Sequence, residues 1–398
     1  MIDFALNQSS VFDRQATVAR IQEKLTTGCK TADQLPDVFG GIILYGAGDL
    51  GVLALEYCAA CNIDVIGVID KSKTGDLTIG NKVFKLLPFD KSTANKFKSV
   101  PIFVAIANTP VKPIIDSLKS QGWECVLPFY SLTSTARTGH PLLNGWLIQR
   151  ISSDELEDVK DICENWSDNA SLEHYESFID WHLNFTETLP QLDPIMPATR
   201  YLIEPVRSAI SNARGQLVDV GSHFGQMPLR FKSCGIEFND YVLVEPDIRN
   251  RERLELEVSD LKTSSTTVTI LPDLLAAKSG STNFAEGLGY CSQVWSRSNV
   301  SRPTVTLDDL HLSPDVLKVH TEGTEFEIIM GASETIFDRR PIIMFTVYHN
   351  RTGVSEAISG PMKKFPGYSW YFRLHSFQGT GAVLYGIPEV RNNLANTF

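Results

Sequence analysis

The sequence predicts an α/β protein made of two Rossmann-like, doubly wound domains joined by a helical connector. Three observations carry this prediction. Short β-branched apolar runs alternate with helical stretches in two separate series. Each series opens with a strand that enters a glycine loop and then a helix, "GIILYGAGDLG" at 41–51 and "GQLVDVGSHFG" at 215–225. The stretch between them, 140–190, is acidic, aromatic and poor in strand candidates. The domain limits implied are 1–138, 139–198 and 199–398.

The 398 residues suffice for more than one core, and 43% apolar with 21% charged residues is an ordinary globular balance. A net charge of −11 and no dense Lys/Arg stripe argue against nucleic acid and against anionic membrane surfaces. No apolar run is long enough to span a bilayer, and the start "MIDFALNQSS" lacks a basic and an apolar leader region. The seven cysteines are scattered and odd in number, which disfavours a disulfide framework. We therefore expect a cytoplasmic protein without a membrane span; a homo-oligomer is allowed.

Residues 11–28 predict an amphipathic leading helix. "GIILYG", "DVIGVID", "PIFVAIA" and "ECVLPF" follow as strands, with helices at about 50–61 and 110–121. Their apolar character without polar alternation suggests a parallel sheet covered on both faces. Gly46, Gly48 and Gly51 make the G-x-G-x-x-G pattern, and Asp70 ends the next strand nineteen residues later. That spacing fits ribose recognition and predicts a second nucleotide-type site, for a nucleotide or nucleotide-sugar. No hydride-transfer constellation follows it. Cys58 and Cys61 fall inside the following helix and read as packing residues. On the connector, Trp146, Trp166 and Trp181 read as packing between domains.

The second series runs through strands at 215–221, 240–246, 266–272, 315–321, 341–349, 368–375 and 381–387, with helices at about 225–234 and 247–261. The last two strands, separated by "SFQGT", predict an antiparallel hairpin. The glycine loop here is Asp219-x-Gly221-x-x-x-Gly225, and the next strand ends in Glu245. An acid at that position can accept ribose hydroxyls, and Asp219 before the turn would suit a cationic ligand better than a pyrophosphate.

The ordered motifs "LVDVGSHFGQ", "VLVEPD", "TVTLDDL" and "VLKVHTEGTEFEIIMGA" resemble the FkbM family of S-adenosylmethionine-dependent methyltransferases over roughly residues 199–390. The resemblance implies a class I methyltransferase fold, S-adenosyl-L-methionine as cofactor, and O-methylation of a sugar, glycan or related hydroxylated small molecule. By position it implies cofactor contacts at Asp219, Gly221, Ser222, Gly225 and Glu245, with Asp273 near the adenine. It implies catalytic roles for His320, Glu322 and His349. His320 stands where the family usually has Asp, and an imidazole there could accept the hydroxyl proton at neutral pH. Thr346 replaces the acid of the family's Glu-x-x-His, while His349 keeps its place. A metal cluster of His320, Glu322 and Glu325 is the weaker reading, and no metal is expected. The competing functional reading is a non-enzymatic nucleotide or nucleotide-sugar binding, regulatory protein with two Rossmann-like domains.

Overall fold

The computed structural model describes residues 12–28, 38, 40–79, 82–135, 140–142, 146–148, 151–210, 215–349 and 351–390. The boundary drawn at 138/139 falls outside them. The first series folds into a six-stranded sheet of β1 (Ile42–Tyr45), β2 (Val65–Ile69), β3 (Asp76–Ile79), β4 (Lys82–Leu87), β5 (Ile102–Val104) and β6 (Val126–Pro128). Its order is β3-β4-β2-β1-β5-β6, parallel except for β3. Every residue of β1 and β5 is buried, because helices cover both faces. The β3–β4 pair escapes the sequence reading. It lies at the edge, mostly half-exposed or exposed, and lacks a continuous apolar run.

The second series forms a seven-stranded sheet. Its first strands are β7 (Gln216–Val220), β8 (Asp240–Val244) and β9 (Thr267–Leu271). An insertion follows, comprising β10 (Leu274–Leu275), β11 (Gly280–Ala285), β12 (Gln293–Val294) and β13 (Ser301–Val305), which make a small separate sheet. The main sheet then resumes with β14 (Pro314–Val319), β15 (Ile342–Thr346), β16 (Tyr368–Leu374) and β17 (Ala382–Pro388). The order is β16-β17-β15-β14-β7-β8-β9. Strands β9, β8, β7, β14 and β15 are parallel, and β17 runs antiparallel between β15 and β16. The terminal hairpin expected from "SFQGT" is therefore present. Sequence reading missed the small sheet, whose two-residue strands carry too little pattern to register.

The leading helix, Arg14–Thr27, does not join the first sheet. Ile21 and Leu25 sit in the core of the second unit together with Trp146 and Trp166, while Trp181 packs into the first core. Lys24 bridges Glu176 and Asp180, and Arg20 reaches Glu176, on the connector helix Asn169–Asn184. The same helix is tied to β16. Leu374 donates its N–H to His174 Nδ1 at 3.0 Å, and Arg373 pairs with Asp168 at 2.7 Å. The hairpin loop in turn reaches the first unit, where the Phe377 N–H bonds the Ala107 carbonyl at 3.1 Å and Gln378 Nε2 bonds that of Ile106.

Candidate active site

The two glycine loops close in different ways. In the first, Asp70 spends its carboxylate on its own loop. It accepts from the N–H groups of Ala47 (2.8 Å), Ser72 (2.8 Å) and Lys73 (3.0 Å) and from the Ser72 hydroxyl (2.8 Å). The Lys73 ammonium caps the Ala47 carbonyl. Gly51 is required because an added Cβ would overlap the Gly46 carbonyl, whereas Gly48, the N-cap of helix Asp49–Ala60, is open. Ala105 and Ile106, after β5, press against Gly46. This is the crevice between the carboxyl ends of β1 and β5 where a dinucleotide fold would hold its ligand. Of these four donors, three meet Asp70 Oδ1 and one, the Ala47 N–H, meets Oδ2.

The second loop opens onto a cavity of about 290 Å³ at the carboxyl ends of β7, β8 and β14. Gly221 and Ser222 line it beside Glu245, Asn250 and Asp273 at one end. Arg200, Tyr201, Arg230, His320 and Glu322 line it at other positions. Gly221 has φ +70°, and a Cβ there would overlap the His320 carbonyl, so the glycine lets the β7 loop seat on the end of β14. Gly225, at φ +76°, is the N-cap of helix Gln226–Ser233 and is not among the residues lining the cavity.

Asp219 is not open to the cavity. It is fully buried and ion-paired with Lys318 Nζ at 2.7 Å, and that ammonium also donates to the Gly221 carbonyl at 2.8 Å. Burial raises the Asp219 pKa and the Lys318 cation opposes the rise. Its charge is thus answered within the protein, and Asp219 supports the loop from beneath instead of attracting a cation. Lys318, which the sequence offered only as part of a motif, is the residue that does this.

Glu245 is 5% exposed and accepts from the His223 N–H at 2.8 Å, the Asp247 N–H at 3.0 Å and the Asn250 amide at 3.4 Å. Burial holds its pKa above the usual carboxylate value. No cation among the described residues lies within ion-pair distance of it. Tyr290 packs on His223 with ring centroids 4.2 Å apart, giving this end an aromatic wall.

At the carboxyl end of β14, Glu325 accepts the N–H groups of Thr321 (3.0 Å), Glu322 (3.1 Å) and Gly323 (2.9 Å) and the Thr346 hydroxyl (2.8 Å). This buried carboxylate folds the Glu-Gly-x-Glu turn. It holds Glu322 at φ +62°, a left-handed conformation that costs a non-glycine residue roughly 1–2 kcal/mol. The turn aims Glu322 between two histidines: Oε1 lies 3.1 Å from His320 Nε2, and Oε2 lies 3.2 Å from His349 Nδ1. Burial, then the neighbouring Glu325, pushes the Glu322 pKa up to about 8. Both imidazoles are held neutral. Burial and then the Arg200 cation keep His320 well below its ordinary value, and burial brings His349 down to about 3.

Arg200 also decides which His320 nitrogen carries the proton. Its guanidinium lies 3.4 Å from Nδ1, and Tyr201 Oη lies 3.2 Å from the same atom. Arginine only donates, so Nδ1 is an acceptor and the neutral ring carries its proton on Nε2. That N–H faces Glu322 and His349 Nε2, the latter at 3.2 Å. In this tautomer the His320 lone pair faces Arg200 and its N–H faces Glu322. The same tautomer bears on metal binding. Donor atoms of His320, Glu325 and His349 lie within 4.8 Å of one another. Ligation through Nε2 would place an N–H against the Arg200 guanidinium, and Glu325 is already committed to three amides and a hydroxyl. The donor set fits a metal poorly.

Sequence reasoning missed Arg200, Tyr201 and Tyr348. Arg200 and Tyr201 end the proline-punctuated stretch at 189–200 or follow it, where no periodicity marks a role. Tyr348 Oη lies 3.3 Å from Arg200, and the Tyr348 carbonyl accepts from the Trp146 indole at 3.2 Å.

Residues 219–367 match the methyltransferase FkbM domain. A crystal structure of a methyltransferase FkbM from Methylobacillus flagellatus KT shares the fold with a TM-score of 0.61 at 15% identity, covering 94% of this chain and 100% of that one. The likeness of fold thus extends beyond the matched domain. No curated protein matches the chain. Among the described residues no helix is long and apolar enough to cross a membrane. The chain carries a methyltransferase FkbM domain over residues 219–367, which marks it as a methyltransferase.

Proposed function

We propose that the protein transfers a methyl group from S-adenosylmethionine to a hydroxyl of a sugar or related hydroxylated small molecule, with Glu322 as proton acceptor. The observation that carries this reading is one cavity lined by two carboxylates with different neighbours, the buried Glu245 and the half-buried Glu322. Glu245, with no cation paired to it among the described residues, suits the two hydroxyls of a ribose. Glu322, held against two neutral imidazoles, suits a proton that must leave an attacking oxygen. The apolar and aromatic side chains Leu274, Leu275, Phe284 and Tyr290 suit an adenine between them.

When bound, S-adenosylmethionine supplies an electrophilic methyl on a sulfonium. The chain's own residues do the rest. Glu245 and the Gly221–Ser222 loop position the nucleoside, with Asp219 and Lys318 holding that loop to β14. Glu322 takes the acceptor's hydroxyl proton. His320 and His349 face its two oxygens and orient the carboxylate, while Arg200 keeps His320 in the donating tautomer. A carboxyl group with its pKa near the working pH is better matched to this step than an imidazole held far below it.

We further propose that the N-terminal unit is a structural module, since its loop and Asp70 are mutually satisfied, and that the helix Arg14–Thr27 belongs with the connector. Calorimetry with S-adenosylhomocysteine tests the cofactor assignment. Micromolar binding is expected, and its absence overturns the reading. Methyl transfer to a panel of glycans and hydroxylated metabolites tests the acceptor class.

A further inference from the structure

The cavity meets anions in an unusual way. A ligand at a glycine loop ordinarily finds free backbone N–H groups. Here those of the two facing turns are engaged within the protein. Gly221 and Ser222 donate to the Val244 carbonyl at 2.9 and 3.1 Å. His223 donates to Glu245, and Thr321, Glu322 and Gly323 donate to Glu325. Lys318 is neutralised by Asp219.

Two guanidinium groups on the cavity wall are not neutralised. Among the described residues no carboxylate lies within ion-pair distance of Arg200 or Arg230. Arg200 touches only neutral groups: His320, the Tyr348 hydroxyl, and the ring faces of Tyr201 and Tyr348. Its buried Nε has no hydrogen-bond partner. Arg230 rests at 3.4 Å on the Pro197 carbonyl, the same group that accepts the Arg200 backbone N–H at 3.3 Å. The turn that ends in Arg200 thus also anchors the Arg230 side chain, which projects from helix Gln226–Ser233. Arg200, whose Nε is shielded from solvent without a counter-charge, is costly to maintain in that state, and both guanidinium groups are shaped for bidentate recognition of a carboxylate or phosphate.

We propose that Arg200 and Arg230 form a receptor for a carboxylate-type anion within the reacting complex. The inference rests on the cofactor reading above. Two sources share this chemistry: the α-carboxylate of the cofactor, and an acidic group on the acceptor such as a uronate or a phosphate ester. In either case the anion sits beside His320, so it also helps set how the acceptor hydroxyl meets Glu322.

The test uses the full chain and three probes: S-adenosylhomocysteine, 5′-methylthioadenosine (which lacks the amino-acid carboxylate) and inorganic phosphate. If the cofactor fills the receptor, R200M or R230M weakens S-adenosylhomocysteine at least about tenfold and leaves 5′-methylthioadenosine unchanged. If the acceptor fills it, both nucleosides bind as before. Phosphate then binds the S-adenosylhomocysteine-saturated wild type and is lost at least about tenfold in both variants. Either result supports the receptor. R200K, which keeps the charge, should recover part of the lost affinity, which a packing role would not do. Unchanged binding of all three probes in R200M and R230M overturns the proposal. Failure of both nucleosides to bind the wild type overturns the cofactor reading, and this inference with it.

Discussion

The first glycine loop matches the dinucleotide pattern more fully than the second, yet the second is the one that opens onto a cavity. Both loops bind the acid at the end of the next strand, so the difference lies in what surrounds that acid. Asp70 accepts four donors from the glycine loop and the turn after its own strand, and the residues after β5 press on Gly46. Glu245 also accepts from its loop, but it lines an open cavity and meets no cation among the described residues. A glycine pattern therefore reports a tight strand-to-helix turn. Whether that turn holds a ligand depends on the hydrogen bonds left over.

The comparison can be broken most sharply at Glu322. Glu322→Gln should lower kcat on the order of 100- to 10,000-fold while leaving S-adenosylhomocysteine affinity intact. A modest change would return the proton to another group. Next, Glu245→Gln should weaken S-adenosylhomocysteine roughly 10- to 100-fold, the worth of hydrogen bonds to a charged partner. Asp70→Asn should leave that affinity untouched and instead lower the melting temperature; equal losses of affinity would erase the distinction between the loops.

The pH dependence sharpens the assignment of the base. Glu322 must be ionised to accept a proton, and burial raises its pKa to about 8. Activity as kcat/KM should therefore rise about tenfold per pH unit below that value and level off above it. A limb centred below about 6.5, the ordinary histidine value, would instead favour His320. The smallest effects are expected from the turns. Gly51→Ala should cost stability on the order of 1–3 kcal/mol in the first unit without changing cofactor affinity. Gly221→Ala should cost both, because its Cβ would push the cavity wall off His320. Thermal unfolding with and without S-adenosylhomocysteine separates the two variants.

Much of the fold was legible from local pattern. Both main sheets, the glycine loops and the final hairpin follow from apolar runs, turn residues and spacing, all set by neighbours in the chain. The same reasoning put Glu245, His320 and His349 at strand ends. It failed where the signal was too short, as in the insertion with β10 and β12, or too exposed, as in β3.

By itself, then, the sequence determined the alternation of strands and helices, the two turns and the acids at their strand ends. Only the tertiary structure decided what those groups can do. Arg200 reaches His320 across 120 residues and sets its tautomer, and Arg20 and Lys24 carry the leading helix to a connector more than 150 residues away. Asp219 looked like a free anion until Lys318 was seen against it. Periodicity is a property of neighbours along the chain, whereas the charge and proton state of a side chain depend on what surrounds it in space.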